Sequence, residues 1–170
     1  MKKLTPVLLI ILAPLFSRAQ QADTSTLTKP GDISPTFNFN PAKDKTANLT
    51  DYKGKLVLLD FFATWCPPCR LELPRIQKEV WEKYKDNPKF ALLVVDREEG
   101  WNIISPFKEK NGFTLPIVPD EKRKIFSLYA TAYIPRIVLI DENGKIIYQS
   151  IGYVESDFNK LLDLLSARLN

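Results

Sequence analysis

Residues 61–74 read FFATWCPPCRLELP and contain both cysteines of the 170-residue chain, Cys66 and Cys69. The apolar run from Leu56 to Phe62 leads into them and has the length of a strand buried on both faces. Downstream, apolar residues recur at spacings of three and four, which predicts a helix; they are Leu73, Ile76, Val80 and Tyr84. The two cysteines therefore lie where a buried strand passes into a helix.

The predicted helix begins beside the first cysteine. Pro67 and Pro68 suit its first turn, because the N–H that a proline lacks has no partner within the helix at that position. Cys66 then faces the free N–H groups and the positive dipole end of the helix, which favour the reactive thiolate. Cys69 lies one turn further in and should be less exposed. The spacing predicts a nucleophile, Cys66, and a resolving thiol, Cys69, that releases the reduced partner.

Three other uses of a Cys-x-x-Cys pair fit the sequence less well. A structural zinc site needs four ligands, usually Cys and His, and the chain has two cysteines and no histidine. Covalent haem attachment needs a histidine after the second cysteine, where the chain has Arg70. A purely structural disulfide would close too short a loop to stabilise the fold much. We therefore expect a reversible dithiol–disulfide pair, with no metal and no cofactor.

Asp60 interrupts the apolar strand that precedes the cysteines. A lone carboxylate buried there would be costly, and burial raises a carboxyl pKa towards the range in which it exchanges protons with a thiol. An aspartate at a strand end that is solvated or hydrogen-bonded locally is the alternative. If Asp60 serves as a proton donor or acceptor, Asp60→Asn should slow resolution of the mixed disulfide at neutral pH.

The rest of the chain predicts one α/β domain. Further strands are predicted at residues 37–40, 90–95, 115–118, 136–140 and 145–150, and further helices at 101–110, 121–129 and 155–169. Residues 141–144, Asp-Glu-Asn-Gly, are a strong hairpin signal. Strands that alternate with helices and end in a hairpin and a helix indicate a central mixed sheet with helices on both faces.

The first nineteen residues have the pattern of a secretory signal peptide. Two lysines precede a thirteen-residue apolar run, and Ala19 ends a small-residue cleavage site. The run is shorter than the roughly 20 residues of a membrane-spanning helix, so an uncleaved anchor is the less favoured alternative. Residues 20–34 are polar and predict a flexible lead-in to a domain of residues 35–170. The expected location is the periplasm or cell envelope, where disulfides persist.

The charge of the chain argues against nucleic acid as a partner. The nominal net charge of +4 falls to +1 when the first nineteen residues are removed, since three of the basic residues lie there and 21 basic and 20 acidic residues remain. No basic block or stripe is left to bind phosphates.

The sequence resembles the thioredoxin superfamily, and more closely the TlpA- and ResA-like thiol-disulfide oxidoreductases of the cell envelope. The resemblance covers roughly residues 30–168 and is most specific at residues 59–69, LDFFATWCPPC. Gly54-Lys55, Pro74 and Tyr133-Ile134-Pro135 also match. The resemblance implies the thioredoxin fold with an N-terminal extension and a helix–strand insertion.

The resemblance also implies a substrate-binding surface beside the cysteines. Pro135 would be a cis-proline packed against the disulfide, and the backbone of Ile134 would pair with substrate in strand fashion. Apart from the resemblance, the place of Trp65 beside the nucleophile favours a surface lip for partners, with a packing residue as the alternative. Pro67 and Pro68 are also predicted to contact substrate.

Several charged residues have a place in the resemblance. Asp60 matches the buried acid that thioredoxins use near the second cysteine. Relatives tune the site with an acid at the end of the preceding strand, for which Asp96, Glu98 and Glu99 are open candidates. Arg136 follows the proline where threonine is common, and it would favour acidic partners if its side chain lined the groove.

The predicted function is thiol–disulfide exchange between the cysteine pair and partner proteins. The resemblance implies a reductant, with a role in cytochrome c maturation and a membrane thiol carrier as electron donor; we expect a monomer. A thiol peroxidase of related fold is one alternative, but it needs a threonine where the chain has Ala63. A non-catalytic thioredoxin-like binding module is the other, and loss of a cysteine would have favoured it.

Overall fold

A computed structural model describes residues 23–170, which contain seven strands. The strands are β1 (Asn38–Ala42), β2 (Lys45–Asn48), β3 (Leu56–Phe62), β4 (Phe90–Asp96), β5 (Ile117–Pro119), β6 (Arg136–Ile140) and β7 (Ile146–Ile151). Five of them form one sheet in the order β5-β4-β3-β6-β7, and β1 and β2 pair in a separate hairpin. β3, β4 and β5 are parallel, whereas β6 is antiparallel to both β3 and β7.

Helices connect most of the strands and close the chain. They are α1 (Pro67–Arg75), α2 (Glu82–Tyr84), α3 (Trp101–Asn111), α4 (Phe126–Tyr129) and α5 (Glu155–Leu169). A π-helical stretch, Ile76–Trp81, joins α1 to α2, so that the predicted helix runs on to Tyr84. Pro74 lies inside α1 and has no N–H to donate, which favours such a local change of hydrogen bonding.

The core lies on both faces of the central sheet. Successive side chains of a strand point to opposite faces, so β3 divides its apolar residues between two clusters. Leu56, Leu58 and Phe62 pack with residues of α1, α3 and α5, while Val57, Leu59 and Phe61 pack with residues of α4 and β1. This arrangement confirms the predicted mixed sheet with helices on both faces.

The predicted helix at residues 121–129 is wrong in its first half, because α4 begins only at Phe126. The Asp120 carboxylate accepts hydrogen bonds from the backbone N–H groups of Ile125 (2.9 Å) and Phe126 (2.8 Å). Arg123 has a left-handed backbone with φ of 54°, which a helix cannot contain. A side chain thus holds this segment in a turn that apolar spacing did not predict.

Part of the predicted lead-in, residues 23–34, lies within the described residues, and we call this part the strap. The strap lies along the domain and is held by backbone hydrogen bonds. Leu27 N donates to Tyr129 O, Gly31 N to Ile146 O and Ser34 N to Gly144 O, at 2.8–2.9 Å. Its backbone contacts extended segments of the domain, which its polar composition could not reveal.

The predicted signal peptide, residues 1–19, lies outside the described residues. Within residues 23–170, no helix combines the length and the apolar character needed to cross a bilayer.

Candidate active site

Cys66 and Cys69 lie at the junction of β3 and α1, as predicted, and form a disulfide with a Cα–Cα distance of 5.3 Å. Cys66 is the N-cap residue of α1, and Pro67 and Pro68 follow it in the first turn. The backbone N–H of Cys69 points at the Cys66 sulfur from 3.3 Å. In the reduced state this N–H and the helix dipole would stabilise a thiolate on Cys66. Cys69 is fully buried, whereas Cys66 retains 2% exposure.

The loop before β6 lies against the first cysteine. The Ile134–Pro135 peptide bond is cis, which confirms that part of the prediction. The Ile134 carbonyl oxygen lies 3.8 Å from the Cys66 sulfur, and Pro135 is buried. The preceding residue, Tyr133, is 66% exposed. The Ile134 carbonyl therefore borders the disulfide on this side, and an exposed aromatic residue precedes it in the chain.

Trp65 borders the site from the active-site loop and is 52% exposed. The Arg97 guanidinium lies 5.4 Å from the centre of its ring and 5.2 Å from the Phe126 ring. A cation over an aromatic face is attracted to it, so Arg97 helps to fix the orientation of Trp65. The exposed ring of Trp65 and the exposed Pro67 can contact a partner together.

One of the three acids left open by the sequence contacts the active-site loop. Glu99 accepts hydrogen bonds from Thr64 N (2.7 Å) and from Thr64 Oγ1 (2.8 Å), two residues before Cys66. Asp96 instead holds the turn that follows β4, accepting from Glu99 N at 3.0 Å. Burial raises the pKa of Asp96. Glu98 forms ion pairs with Arg123 and Arg97.

Asp60 is fully buried on the face of the sheet that α1 covers, because it lies between Leu58 and Phe62 in the alternation of β3. Neither of its carboxyl oxygens has a hydrogen-bond partner among the described residues. Burial in these apolar surroundings raises its pKa well above the usual carboxyl range. The solvated alternative is thus wrong.

Glu72 is a second buried acid that the sequence analysis missed. It follows Cys69 by three positions on α1 and is 2% exposed. Burial is the larger cause of its raised pKa, and the charge of the nearby Asp60 raises the pKa further. Among residues 23–170, its Oε2 atom is another buried oxygen with no partner. Helical spacing could have revealed Glu72, since residues three apart share a face and Cys69 and Ile76 are both core residues.

Arg136 does not line the substrate groove, which was the condition for a preference for acidic partners. It is 4% exposed, and its guanidinium is turned towards the strap and the loop before β6. A preference for acidic partners therefore loses its basis. The other predicted site residues, Trp65, Pro67, Pro68 and Ile134, remain partly or largely accessible around the disulfide.

Known proteins share this fold. The model of the AhpC/TSA family matches residues 30–149. The thiol-disulfide oxidoreductase ResA of Geobacillus thermodenitrificans is 34% identical over 144 residues, which are 84% of this chain and 82% of that protein. A solved structure of a candidate protein disulfide isomerase from Bacteroides thetaiotaomicron has a TM-score of 0.81 at 36% identity, covering 85% of this chain and 92% of the other. For the candidate thiol:disulfide interchange protein DsbE of Chlorobium tepidum the TM-score is 0.73 at 30% identity, with 84% and 99% covered.

Proposed function

Because this chain belongs to the AhpC/TSA family and is a thiol-disulfide oxidoreductase, we propose that it reduces disulfide bonds of partner proteins in the bacterial cell envelope. The observation that carries the proposal is the placement of the Cys66–Cys69 pair at a helix N-terminus, beside the Ile134 carbonyl and on the side of the sheet where two carboxyl groups are buried. The helix N-terminus makes Cys66 a nucleophile, and the Ile134 backbone offers an edge with which a substrate can pair. The carboxyl groups can move protons and bias the direction of thiol–disulfide exchange.

The exchange takes two steps. The Cys66 thiolate attacks one sulfur of the partner disulfide, forms a mixed disulfide and releases the other partner sulfur as a thiolate. Cys69 loses its proton and attacks the Cys66 sulfur, which closes the internal disulfide and releases the second partner thiolate. Two electrons pass to the partner, and a membrane thiol carrier returns them by reducing the internal disulfide. Asp60 accepts the Cys69 proton in this scheme, because its raised pKa suits exchange with a thiol.

The buried carboxyl pair supports the reducing direction. A strong oxidant of this class owes its potential to stabilisation of its reduced form, which carries the thiolate. Asp60 and Glu72 work in the opposite sense, since either of them, once it gives up its proton, would repel a thiolate in a medium of low dielectric constant. The disulfide form is favoured as a result, and the reduced protein gives up its electrons readily.

The location and the partners follow from the N-terminal sequence and from the resemblance to the TlpA- and ResA-like branch. We place the mature protein in the periplasm or cell envelope as a monomer, released by cleavage after Ala19. Support of cytochrome c maturation is the specific role that we propose, with disulfide-bearing apoproteins as partners. The same resemblance assigns Ile134 and Pro135 to the surface that those partners contact, and the place of Trp65, Pro67 and Pro68 beside the cysteines adds them to it.

The reduction potential of the Cys66–Cys69 pair tests the proposed direction. Equilibration with glutathione buffers should give a value close to that of thioredoxin, about −270 mV, whereas a value near the DsbA figure of about −120 mV would contradict a reductant. Catalysed insulin reduction should be lost in Cys66→Ala. The Cys69→Ala variant should accumulate mixed disulfides, because the resolving thiol is missing. Consumption of peroxide at a comparable rate would instead favour the peroxidase.

A further inference from the structure

Arg136 is the first residue of β6 and follows the cis-proline directly, yet its side chain folds away from the substrate groove. Its Nε donates to the carbonyl oxygens of Ala132 (2.9 Å) and Tyr133 (3.0 Å). Its Nη1 donates to Thr26 Oγ1 (2.8 Å) and its Nη2 to Ser25 Oγ (2.5 Å). One guanidinium therefore joins the loop at residues 131–135, which we call the proline loop, to the strap.

The strap supplies the counter-charge for this buried cation. The Asp23 carboxylate lies 3.8 Å from Nη2 of Arg136. The same carboxylate accepts hydrogen bonds from Ser25 N (3.0 Å), from Ser25 Oγ (2.6 Å) and from Thr26 Oγ1. A buried guanidinium is tolerated only when its donors and its charge are satisfied, and both conditions are met here by residues of the strap and the loop.

Backbone pairing brings the two segments together independently of Arg136. Thr131 N donates to Ser25 O (2.8 Å) and Leu27 N to Tyr129 O (2.9 Å), with Thr26 and Ala130 in an antiparallel bridge. The strap thus adds a short stretch of sheet to the segment that leads into the proline loop. None of these hydrogen bonds joins the strap to the cysteine pair.

We call the hydrogen bonds of Arg136 to the strap and to the proline loop the anchor. The conformation of Tyr133 shows what the anchor stabilises. Tyr133 has a left-handed backbone, with φ of 62°, which is unfavourable for a residue with a side chain. Its carbonyl oxygen is one of the two that accept from Arg136 Nε, so the guanidinium stabilises this conformation. The backbone of Tyr133 sets the position of the next residue, Ile134. The Ile134 carbonyl oxygen in turn lies 3.8 Å from the Cys66 sulfur.

We propose that Arg136, braced by the Asp23–Thr26 part of the strap, is a positioning residue that holds the proline loop in the shape with which protein disulfides pair. The inference rests on the proposed use of the Ile134 backbone as a substrate edge. A protein substrate needs that edge as well as the sulfur of Cys66, whereas a small disulfide needs only the sulfur. Loss of the anchor should therefore weaken the binding of protein substrates and leave the reactivity of Cys66 unchanged.

Two variants test the anchor from its two sides. Arg136→Lys keeps the positive charge, but its single nitrogen cannot serve the two loop carbonyls and the two strap hydroxyls at once. The double variant Ser25→Ala/Thr26→Val keeps Arg136 and removes only the hydroxyl groups of the strap. The matched control is Arg168→Lys, since Arg168 forms an exposed ion pair with Glu142 at 3.5 Å.

Each protein is assayed for insulin reduction, with KM and kcat separated, and for the rate at which its reduced form reacts with hydroxyethyl disulfide. Both anchor variants should raise KM for insulin about ten-fold, because hydrogen bonds to charged groups contribute about that factor to an equilibrium. Their rates with hydroxyethyl disulfide should stay within about two-fold of the wild type, as in the control, since the same sulfur environment remains.

The possible outcomes distinguish a failure of the anchor from a failure of the proposed function. An unchanged KM for insulin in the double variant overturns the role of the anchor, whether or not Arg136→Lys folds. An equal loss of activity towards insulin and hydroxyethyl disulfide also overturns it, because the cysteine site itself would then depend on the anchor. A wild-type protein that reacts with hydroxyethyl disulfide but fails to reduce insulin contradicts the proposed function instead.

Discussion

Replacing Asp60 by asparagine should change how the stability of the oxidised protein depends on pH. Asp60 is fully buried, and neither of its oxygens has a partner within the described part of the chain. Burial raises its pKa, and burial together with the Asp60 charge raises the pKa of Glu72. In the folded protein both groups therefore hold a proton at a pH at which ordinary carboxyl groups have lost it.

The sign of the effect follows from the direction of these shifts. Once unfolded, the two groups ionise near their usual pKa of about 4, so above that pH the folded state binds more protons than the unfolded state. Stability is therefore complete below that pKa and is lost as the pH rises towards the folded pKa values. Each retained proton lowers the free energy of unfolding by about 1.4 kcal/mol per pH unit, and two lower it by about 2.8 kcal/mol.

The measurement is the free energy of urea unfolding between about pH 5 and pH 6, where Asp60 in the fold still holds its proton and the unfolded carboxyl groups have lost theirs. The difference in unfolding free energy between Asp60→Asn and wild type should grow in favour of the variant by about 1.4 kcal/mol over that unit, because one coupled proton is gone. Glu72→Gln should behave similarly. Asp44→Asn, which changes an exposed carboxyl group, should run parallel to the wild type. Parallel curves for Asp60→Asn would refute the buried, protonated pair.

Two further changes probe the supports of the site and of the core. Glu99→Ala removes both acceptors of Thr64 and should lower the free energy of unfolding by about 2 kcal/mol while shifting the emission of Trp65, as urea titration followed by fluorescence would show; an unaltered spectrum would contradict the role of Glu99. Tyr129→Phe leaves Ser34 Oγ and Pro35 O without their buried partner and should cost about 1–2 kcal/mol by the same titration; a cost close to zero would mean that the hydroxyl group contributes little.

The parts of the fold that were predicted from sequence are those fixed by local patterns. β3 has the predicted bounds, Leu56–Phe62, because an apolar run broken only by Asp60 is flanked by turn residues and buried on both faces. The helix after Cys66 was predicted from apolar spacing and from the two prolines in its first turn. The cysteine pair was predicted with its chemistry, since only two cysteines and no histidine leave few other uses.

The parts that were missed depend on contacts between distant segments. The strap is polar and has no apolar period, but its Ser25 hydroxyl meets an arginine 111 positions away. Glu99 contacts Thr64 across 35 positions, and three acids within four positions gave no means of choosing among them. The start of α4 was misplaced because one carboxylate, Asp120, captured the N–H groups that would have begun the helix.

Buried ionisable side chains are where the structure departs most from what the local sequence pattern predicts. Asp60 in an apolar strand and Glu72 on the buried face of a helix both lower stability at neutral pH, and an apolar residue of similar size would remove that cost. Arg136 is buried as well, but its donors and its charge are satisfied. The two acids are therefore the groups whose burial the fold alone does not explain, and the role that we propose for them in proton transfer and in setting the reduction potential would account for it.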